Sequence, residues 1–264
     1  MQTKRPSFPV TGNVLKMLAI ITMLIDHATV VIVENYLFPM VSRSYIGGTD
    51  LNYSAKEYAL VSTVQLVGRG IGRIAFPIFL FLLLEGFLHT RNVWKYALRL
   101  GVFALVSEVP FDLVFTGSFF DLTKQNVFFT LLIALLMMIG FDLVSEKFDK
   151  KAAVIVLQAG ILLVALIVPI IIRSDYTCMG IAMAAAIYLT RNNRKYMWLA
   201  VLAAMIVTLI PARSSVLEVI GCLAFIPIAF YNGERGSFNL KYFFYAFYPI
   251  HLLVLGFIQA FVLK

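Results

Sequence analysis

Two ionisable side chains in the first apolar segment have a spacing that suits chemistry inside a membrane. Lys16 and His27 are eleven residues apart. In an α-helix they lie on one face, displaced by roughly 16 Å along the axis. A cation near one membrane surface and an imidazole deeper in the bilayer suit a long anionic ligand whose reactive end reaches the imidazole. The alternative is that Lys16 extends to the lipid headgroups and His27 makes a helix–helix hydrogen bond.

Asp26 precedes His27 in the same segment and lies about 100° around the helix from it. We therefore expect its carboxylate not to hold the imidazole unless the helix is distorted. A charge at the centre of a span costs at least about 2.5–3.5 kcal/mol, so Asp26 needs a partner. Pairing with Arg69 or Arg73 and contact with a neighbouring helix are both open.

A second group of ionisable residues surrounds the end of the next apolar segment. Glu85 and His89 are one helical turn apart and close enough to interact. Two ligands without a third nearby do not indicate a zinc site, so we expect no metal. Arg91, Lys95 and Arg99 follow. They either anchor a cytoplasmic loop or form a rim that binds phosphate.

Later segments bring more polar side chains to membrane depth. Glu108 and Asp112 lie one turn apart in an otherwise apolar run. The others are Gln125 and Asn126 at the start of one segment and Tyr248 and His251 in the last. Because polar groups in a bilayer usually face the bundle interior, a shared polar cavity is the economical interpretation. The alternative is a set of separate pairs that hold helices together.

The composition predicts that these segments are membrane helices. Of 264 residues, 61% are hydrophobic and 14% are charged, whereas soluble domains are about 45–50% apolar and about 25% charged. A backbone in hydrocarbon must satisfy its own hydrogen bonds, and the alternation of apolar and polar residues that marks barrel strands is absent. The sequence therefore predicts an all-α polytopic transmembrane bundle that forms one domain, 1–264.

Nine helical segments are predicted. Their limits are 13–35, 73–89, 93–115, 126–144, 152–173, 176–190, 195–211, 215–231 and 240–262. A further stretch, 57–71, either lies in the membrane interface or extends the second span. Lysines and arginines are more numerous in the loops on the side of the N-terminus, which predicts that the N-terminus is cytoplasmic.

Nucleic acid and dinucleotides are not indicated as ligands. The formal net charge is +8, but the basic residues lie in short loops between spans, as membrane topology requires. Gly68, Gly70 and Gly72 do not have the spacing of a dinucleotide fingerprint. We expect the lipid bilayer to be a partner and nucleic acid not to be one.

Motifs along nearly the whole chain resemble the TraX family, whose namesake acetylates the N-terminus of F-type pilin. The motifs are Leu15-Lys16, Met23-Leu24-Ile25-Asp26-His27, Gly72-Arg73-Ile74-Ala75-Phe76-Pro77, Glu85-Gly86, His89-Thr90-Arg91-Asn92, Ser107-Glu108-Val109-Pro110-Phe111-Asp112, Gln125-Asn126-Val127-Phe128-Phe129-Thr130 and Phe244-Tyr245-Ala246-Phe247-Tyr248-Pro249-Ile250-His251-Leu252-Leu253.

The TraX family is similar to a wider group of membrane acyltransferases, which includes the acyltransferase-3 proteins and the lysosomal heparan glucosaminide acetyltransferase. The acyltransferase-3 proteins have an arginine, ten residues and then a histidine in the first helix. Lys16 and His27 match that spacing, with lysine in place of arginine. The substitution keeps the charge but weakens a bidentate contact with phosphate.

The resemblance implies an acetyltransferase in the bacterial cytoplasmic membrane, with acetyl-CoA as co-substrate and an oligomeric state left open. His27 is the expected general base, Asp26 shares the catalytic site, and Asn126 or Tyr248 would stabilise the oxyanion. The expected cofactor-binding residues are Lys16, Arg73, Arg91, Lys95, Arg99, Tyr248 and His251. Glu85, His89, Glu108, Asp112 and Gln125 are expected to line the same polar cavity.

The acceptor and the class of function stay open at this point. A pilin amine, an amino sugar and a glycan hydroxyl are all compatible acceptors on a membrane-associated substrate. A transporter or flippase would also carry charges within the membrane, although the repeat pair common in such folds is not evident. A non-catalytic assembly factor for a surface appendage is the third alternative.

Overall fold

A computed structural model describes residues 10–47, 53–238 and 241–263, and within these ranges the chain is helical with no β-strand. The predicted all-α class is confirmed. In chain order the helices are α1 (Gly12–Ala28), a π-helix (Thr29–Leu37), α2 (Phe38–Gly47), α3 (Ala55–Gly72), α4 (Ala75–His89), α5 (Val93–Phe115), α6 (Val127–Lys147), α7 (Lys151–Ile171), α8 (Thr177–Leu189), α9 (Arg194–Thr208), a 3₁₀-helix (Val216–Ala224), α10 (Phe225–Ala229) and α11 (Lys241–Phe261).

Five helical stretches in the described residues are long and apolar enough to cross a membrane. They are Gly12–Arg43, Ala55–His89, Val127–Lys147, Lys151–Ile171 and Tyr242–Phe261. Thr177–Leu189 and Val216–Ala229 are apolar but shorter, and α5 carries four charged residues. Length and composition therefore support a membrane protein, and the expected number of nine spans stays a prediction.

The first apolar segment changes its helical type two residues after His27. Thr11 caps α1, its side chain accepting a hydrogen bond from the backbone N–H of Val14 at 3.4 Å. After Ala28 the backbone continues as a π-helix of nine residues. Such wide turns are rare and are frequent at functional sites. Both Lys16 and His27 lie within the regular α-helical part, so the spacing argument applies to them.

Helices α1 and α3 approach closely because α3 presents glycines at the contact. A Cβ atom on Gly72 would overlap the side chain of Asp26, and one on Gly68 would overlap Thr29. Small residues four apart are a common means of bringing membrane helices together. Only Arg73 and Ile74 separate α3 from α4. The stretch 57–71 therefore extends the second span, which was one of the two predicted alternatives.

Short backbone contacts join neighbouring elements at the two ends of the bundle. At one end, the N–H groups of Gly12 and Asn13 donate to the carbonyl groups of Glu234 and Arg235, at 2.8 and 2.9 Å. At the other end, Asp175 N–H donates to the Gln125 carbonyl at 2.9 Å. The loop after α10 is thus fixed against the start of α1, and the loop before α8 is fixed against the start of α6.

Helix α8 occupies the centre of the bundle, although it has only 13 residues. It contacts α4, α6, α7 and α9, and most of its side chains are buried. The fully buried ones are Met179, Ile181, Met183, Ala184 and Ile187. A helix that is apolar all round is expected at such a position, and this explains why 176–190 is apolar yet short.

Candidate active site

The bundle contains two neighbouring cavities that share part of their walls. The larger has a volume of about 480 Å³ and lies between α1, α4, α5, α6, α11 and the loop after α10. The smaller has a volume of about 70 Å³ and is lined by His27. Met23, Phe79, Val127 and Tyr248 line both. A ligand in the large cavity would therefore reach the wall of the small one.

The large cavity is basic at the end near the start of α1. Lys16, Arg99 and Arg235 line it. The Lys16 ammonium lies 5.2 Å from the centroid of the Phe244 ring, and no carboxylate within the described ranges forms an ion pair with it. The Nε atom of Arg99 is buried and has no hydrogen-bond partner among the described residues. Lys16 and Arg99 are thus placed to receive an anionic group.

Glu85 and His89 form a polar wall of the same cavity. His89 Nδ1 is 2.8 Å from the Glu85 carbonyl and 3.9 Å from its carboxylate. The Tyr231 hydroxyl donates to the Glu85 carboxylate at 3.1 Å. The predicted one-turn contact of Glu85 and His89 is present, and no metal-ligand group of three is found in the described residues.

His27 is buried beside a second histidine at the small cavity. His27 Nδ1 and His251 Nε2 are 2.7 Å apart. The planes of the two rings are 3° from parallel, and the ring centroids are 5.0 Å apart. With nitrogen atoms 2.7 Å apart, this separation is that of a hydrogen bond in the plane of both rings. The edges of Phe115 and Tyr248 approach the His27 ring, at centroid distances of 5.6 and 6.0 Å. His27 thus lies against aromatic rings at a cavity.

Asp26 belongs to a buried cluster of charges and does not contact the His27 ring. Its carboxylate pairs with Arg69 at 2.8 Å and with Arg73 at 3.4 Å. Arg73 also pairs with Glu218 at 3.0 Å, and Arg69 reaches Glu34 at 3.4 Å. The cluster joins α1, the π-helix, α3 and the 3₁₀-helix beside the small cavity.

Arg73 does not line the large cavity, although we expected it to bind the cofactor. Its guanidinium faces the small cavity and is occupied by Asp26 and Glu218. A guanidinium that already pairs with two carboxylates is not positioned to bind a phosphate at the other end of α1.

Asn126 has a structural role that accounts for its polar atoms. It is fully buried and caps α6, its side-chain oxygen accepting from Phe128 N–H at 2.9 Å. Its amide nitrogen donates to the Ala104 carbonyl at 2.7 Å and also to the Glu108 carboxylate. Because these contacts use the whole amide, Asn126 has no donor left for an oxyanion.

The remaining acidic and amide residues of the predicted cavity lie near the α5–α6 connection. Glu108 also accepts from the backbone N–H of Asn126 at 2.9 Å. Asp112 is fully buried and accepts from Asp121 N–H at 2.8 Å. Gln125 forms a backbone bridge with Ser174. Glu108, Asp112 and Gln125 line neither of the two cavities. Glu108 holds α5 to the start of α6, Asp112 holds the loop between these helices, and Gln125 holds the start of α6 to the loop before α8.

The other expected cofactor-binding residues separate into two groups. Arg91 and Lys95 are exposed and line neither cavity. They lie at the connection of α4 to α5 and at the start of α5, positions that fit anchoring at the membrane boundary. Tyr248 lines both cavities. His251 lines neither and contacts His27 instead.

The sequence did not single out two charged residues that line the small cavity, Lys124 and Asp175. The Lys124 ammonium lies 5.6 Å from the ring centroids of both Phe111 and Phe115. Asp175 is held by its backbone, with Thr130 donating to its carbonyl group. Both lie in connecting loops, where charge usually reflects topology, so no spacing signal in the sequence could have marked them.

A comparison with known protein families agrees with the resemblance that the sequence motifs indicated. A family model described as TraX protein matches residues 11–259, from the cap of α1 to the last turn of α11. The chain belongs to the TraX family. The family predicted from the sequence is thus confirmed, whereas the relation to the acyltransferase-3 proteins stays a prediction.

A relative in the bacterium Dichelobacter nodosus is a probable fimbrial assembly protein, FimC of serogroup H1. It is 31% identical over 212 residues, which cover 71% of this chain and 80% of the relative. No solved structure matches the chain. The name of this relative links that protein to the assembly of fimbriae.

Proposed function

We propose that this TraX-family protein is a membrane-embedded acetyltransferase that uses acetyl-CoA and has His27 as its general base. One observation carries the proposal. His27 lines a small cavity that shares four residues with a large one, and the large cavity is basic at its far end, at Lys16 and Arg99. A phosphate-bearing acyl carrier needs this polarity, with cations for the carrier and a base for the acyl group.

The large cavity suits part of such a carrier. Its volume of about 480 Å³ falls within the range of small-molecule sites. Lys16 and Arg99 would contact phosphate groups, and the flexible arm would extend past Phe128 toward Met23 and Tyr248. The thioester would then lie at the shared wall, within reach of His27.

The proposed reaction moves one acetyl group and one proton. His27 takes a proton from the acceptor amine or hydroxyl as the acceptor atom attacks the thioester carbonyl. When the tetrahedral intermediate collapses, the new bond to the acetyl carbon remains, the C–S bond breaks, and the CoA thiolate leaves. The imidazolium of His27 returns its proton to that thiolate, so the base is regenerated.

Tyr248 is the better of the two expected oxyanion donors. Asn126 is occupied by its cap and by Glu108, whereas Tyr248 lines both cavities. The backbone N–H of Val127, the first residue of α6, is directed at the Tyr248 hydroxyl and helps to position it. The first N–H groups of a helix lack intrahelical partners and carry the positive end of its dipole.

The proposal includes the finer topology inferred from the sequence, with nine spans and the N-terminus in the cytoplasm of a bacterial cell. The basic end of the large cavity would then face cytoplasmic acetyl-CoA. The small cavity would face the outer half of the membrane, where a pilin-like peptide or a surface glycan is presented. The relative named as a fimbrial assembly protein favours the peptide.

Thermal unfolding of the purified protein tests donor binding without knowledge of the acceptor. Acetyl-CoA should raise the melting temperature, because a ligand that binds only the folded state stabilises it by mass action. Lys16→Ala and Arg99→Ala should each require at least tenfold more acetyl-CoA for the same rise in melting temperature. Lys150→Ala, which removes an exposed charge outside both cavities, is the matched control. A transporter or a non-catalytic assembly factor would show no response specific to acetyl-CoA.

A further inference from the structure

The contacts of His251 fix where its proton lies. Its Nδ1 atom is 2.8 Å from the carbonyl oxygen of Phe247, one turn earlier in α11. A carbonyl oxygen can only accept a hydrogen bond, so Nδ1 of His251 carries the proton. A neutral imidazole has one N–H group, and Nε2 of His251 is then an acceptor.

The position of the proton on His27 follows from the position of the proton on His251. Its Nδ1 atom is 2.7 Å from Nε2 of His251, which has no proton to donate. His27 Nδ1 therefore carries the proton and donates it to this bond. In the neutral His27 ring the other nitrogen, Nε2, keeps its lone pair for the small cavity that His27 lines.

We propose that His251 is a positioning residue for His27, which it holds in the Nδ1–H tautomer so that Nε2 is the basic atom. This rests on the proposed function of His27 and assigns His251 a role other than the cofactor contact expected from the sequence. His251 lines neither cavity described above, so its effect passes through His27.

The surroundings of His251 keep its ring in place. It is 5% exposed. Phe247 stacks on it with ring centroids 4.9 Å apart, and Tyr248 meets it edge-on at 5.6 Å. Asp26, the carboxylate next to His27 in sequence, is engaged by Arg69 and Arg73. A neutral histidine therefore takes the place that a carboxylate has in many base–orienter pairs.

The direct test is the tautomer of His27. The protein has three histidines, so ¹⁵N-histidine labelling in lipid nanodiscs gives a spectrum that can be assigned with His89→Gln and His251→Gln. At a pH where all three rings are neutral, we expect His27 to be protonated at Nδ1. Protonation at Nε2 would overturn the proposal, whether or not the protein is an enzyme.

Kinetics separate a positioning role from a merely structural one. His251→Phe keeps an aromatic ring but removes the acceptor, so the kcat of acetyl transfer should fall about a hundredfold while the KM for acetyl-CoA changes little. His251→Gln keeps a side-chain oxygen that can accept a hydrogen bond from His27. Its kcat should therefore be at least tenfold higher than that of His251→Phe. Phe257→Leu, at an exposed position of α11, is the control for changes in this helix.

The outcomes distinguish the inference from the function beneath it. Wild-type turnover by His251→Phe, or equal losses for His251→Phe and His251→Gln in folded protein, would refute the positioning role and leave the acetyltransferase intact. If the protein shows no response to acetyl-CoA but His27 is protonated at Nδ1, the proposed function is refuted. The hydrogen bond from His27 to His251 would then still stand.

Discussion

At the scale of single residues, the small cavity depends on buried charges that balance one another. Asp26 bridges Arg69 and Arg73, and the Asp26 side chain is 13% exposed. Glu34 also pairs with Arg69 but its side chain is 40% exposed. Removing one partner of a buried pair leaves an uncompensated charge, whereas exposed pairs contribute little.

Asp26→Asn should therefore destabilise the protein by about 3–5 kcal/mol. Glu34→Gln, which removes the exposed partner, should change stability by less than about 1 kcal/mol. Thermal unfolding of both variants in the same detergent measures the difference. Equal melting temperatures for the two variants would contradict the assignment of Asp26 to a buried ion cluster.

Single residues of the site also differ in how far their roles could be predicted from the sequence. The spacing of Lys16 and His27 was readable because both lie in one regular helix. The role of Asn126 was not readable, because Glu108 and Ala104, which use its amide, belong to the preceding helix. The contact between His27 and His251 joins the first and last helices, and no local pattern encodes such a pairing.

At the scale of elements, the close contact between α1 and α3 positions the charge cluster. Gly72 faces Asp26 so closely that a Cβ atom would overlap it. By contrast, Gly160 in α7 has no atom within 4 Å of a built Cβ. Substitutions at these two glycines therefore distinguish a close packing contact from the general effect of glycine on helix stability.

Gly72→Ala should destabilise the protein by about 1–3 kcal/mol, because the added methyl group overpacks the contact with Asp26. Gly160→Ala should be neutral or stabilise the protein by up to about 1 kcal/mol, because alanine favours a helix. Chemical or thermal unfolding compares the pair. A Gly72→Ala variant as stable as Gly160→Ala would show that α1 and α3 are farther apart than the structure has them.

Element types were predictable to different degrees. Long apolar runs predicted α6, α7 and α11 to within a few residues, since length and composition suffice there. The segment 215–231 was expected as one helix, but it is a 3₁₀-helix followed by the short α10. The π-helix after α1 was not foreseen, because one apolar run is compatible with either turn type. Such changes in helical type arise from packing against neighbouring helices.

At the scale of the whole molecule, the proposed reaction requires the two ends of the bundle to face opposite sides of a membrane. The loop before α6 and the loop before α8 meet at one end, near the small cavity. The loop after α10 and the start of α1 meet at the other, near Lys16. A cytoplasmic N-terminus would place the basic end of the large cavity on the side where acetyl-CoA occurs.

Cysteine labelling in intact cells should reveal this orientation. In a background with Cys178 and Cys222 replaced by Ala, Leu122→Cys should react with a membrane-impermeant maleimide from outside. Asp149→Cys, in the loop between α6 and α7, should react only after the membrane is permeabilised. The reverse pattern would invert the topology and remove the route for cytoplasmic acetyl-CoA.

The most direct test of the central claim is acetyl transfer by the purified protein in nanodiscs, with His27 intact or changed. Radiolabelled acetyl-CoA would be offered with a pilin N-terminal peptide or with an amino sugar, and the labelled product would be measured. We expect the wild-type protein to acetylate one acceptor and His27→Gln to lose at least about a hundredfold in kcat, with stabilisation by acetyl-CoA retained. Undiminished turnover by folded His27→Gln would contradict the account.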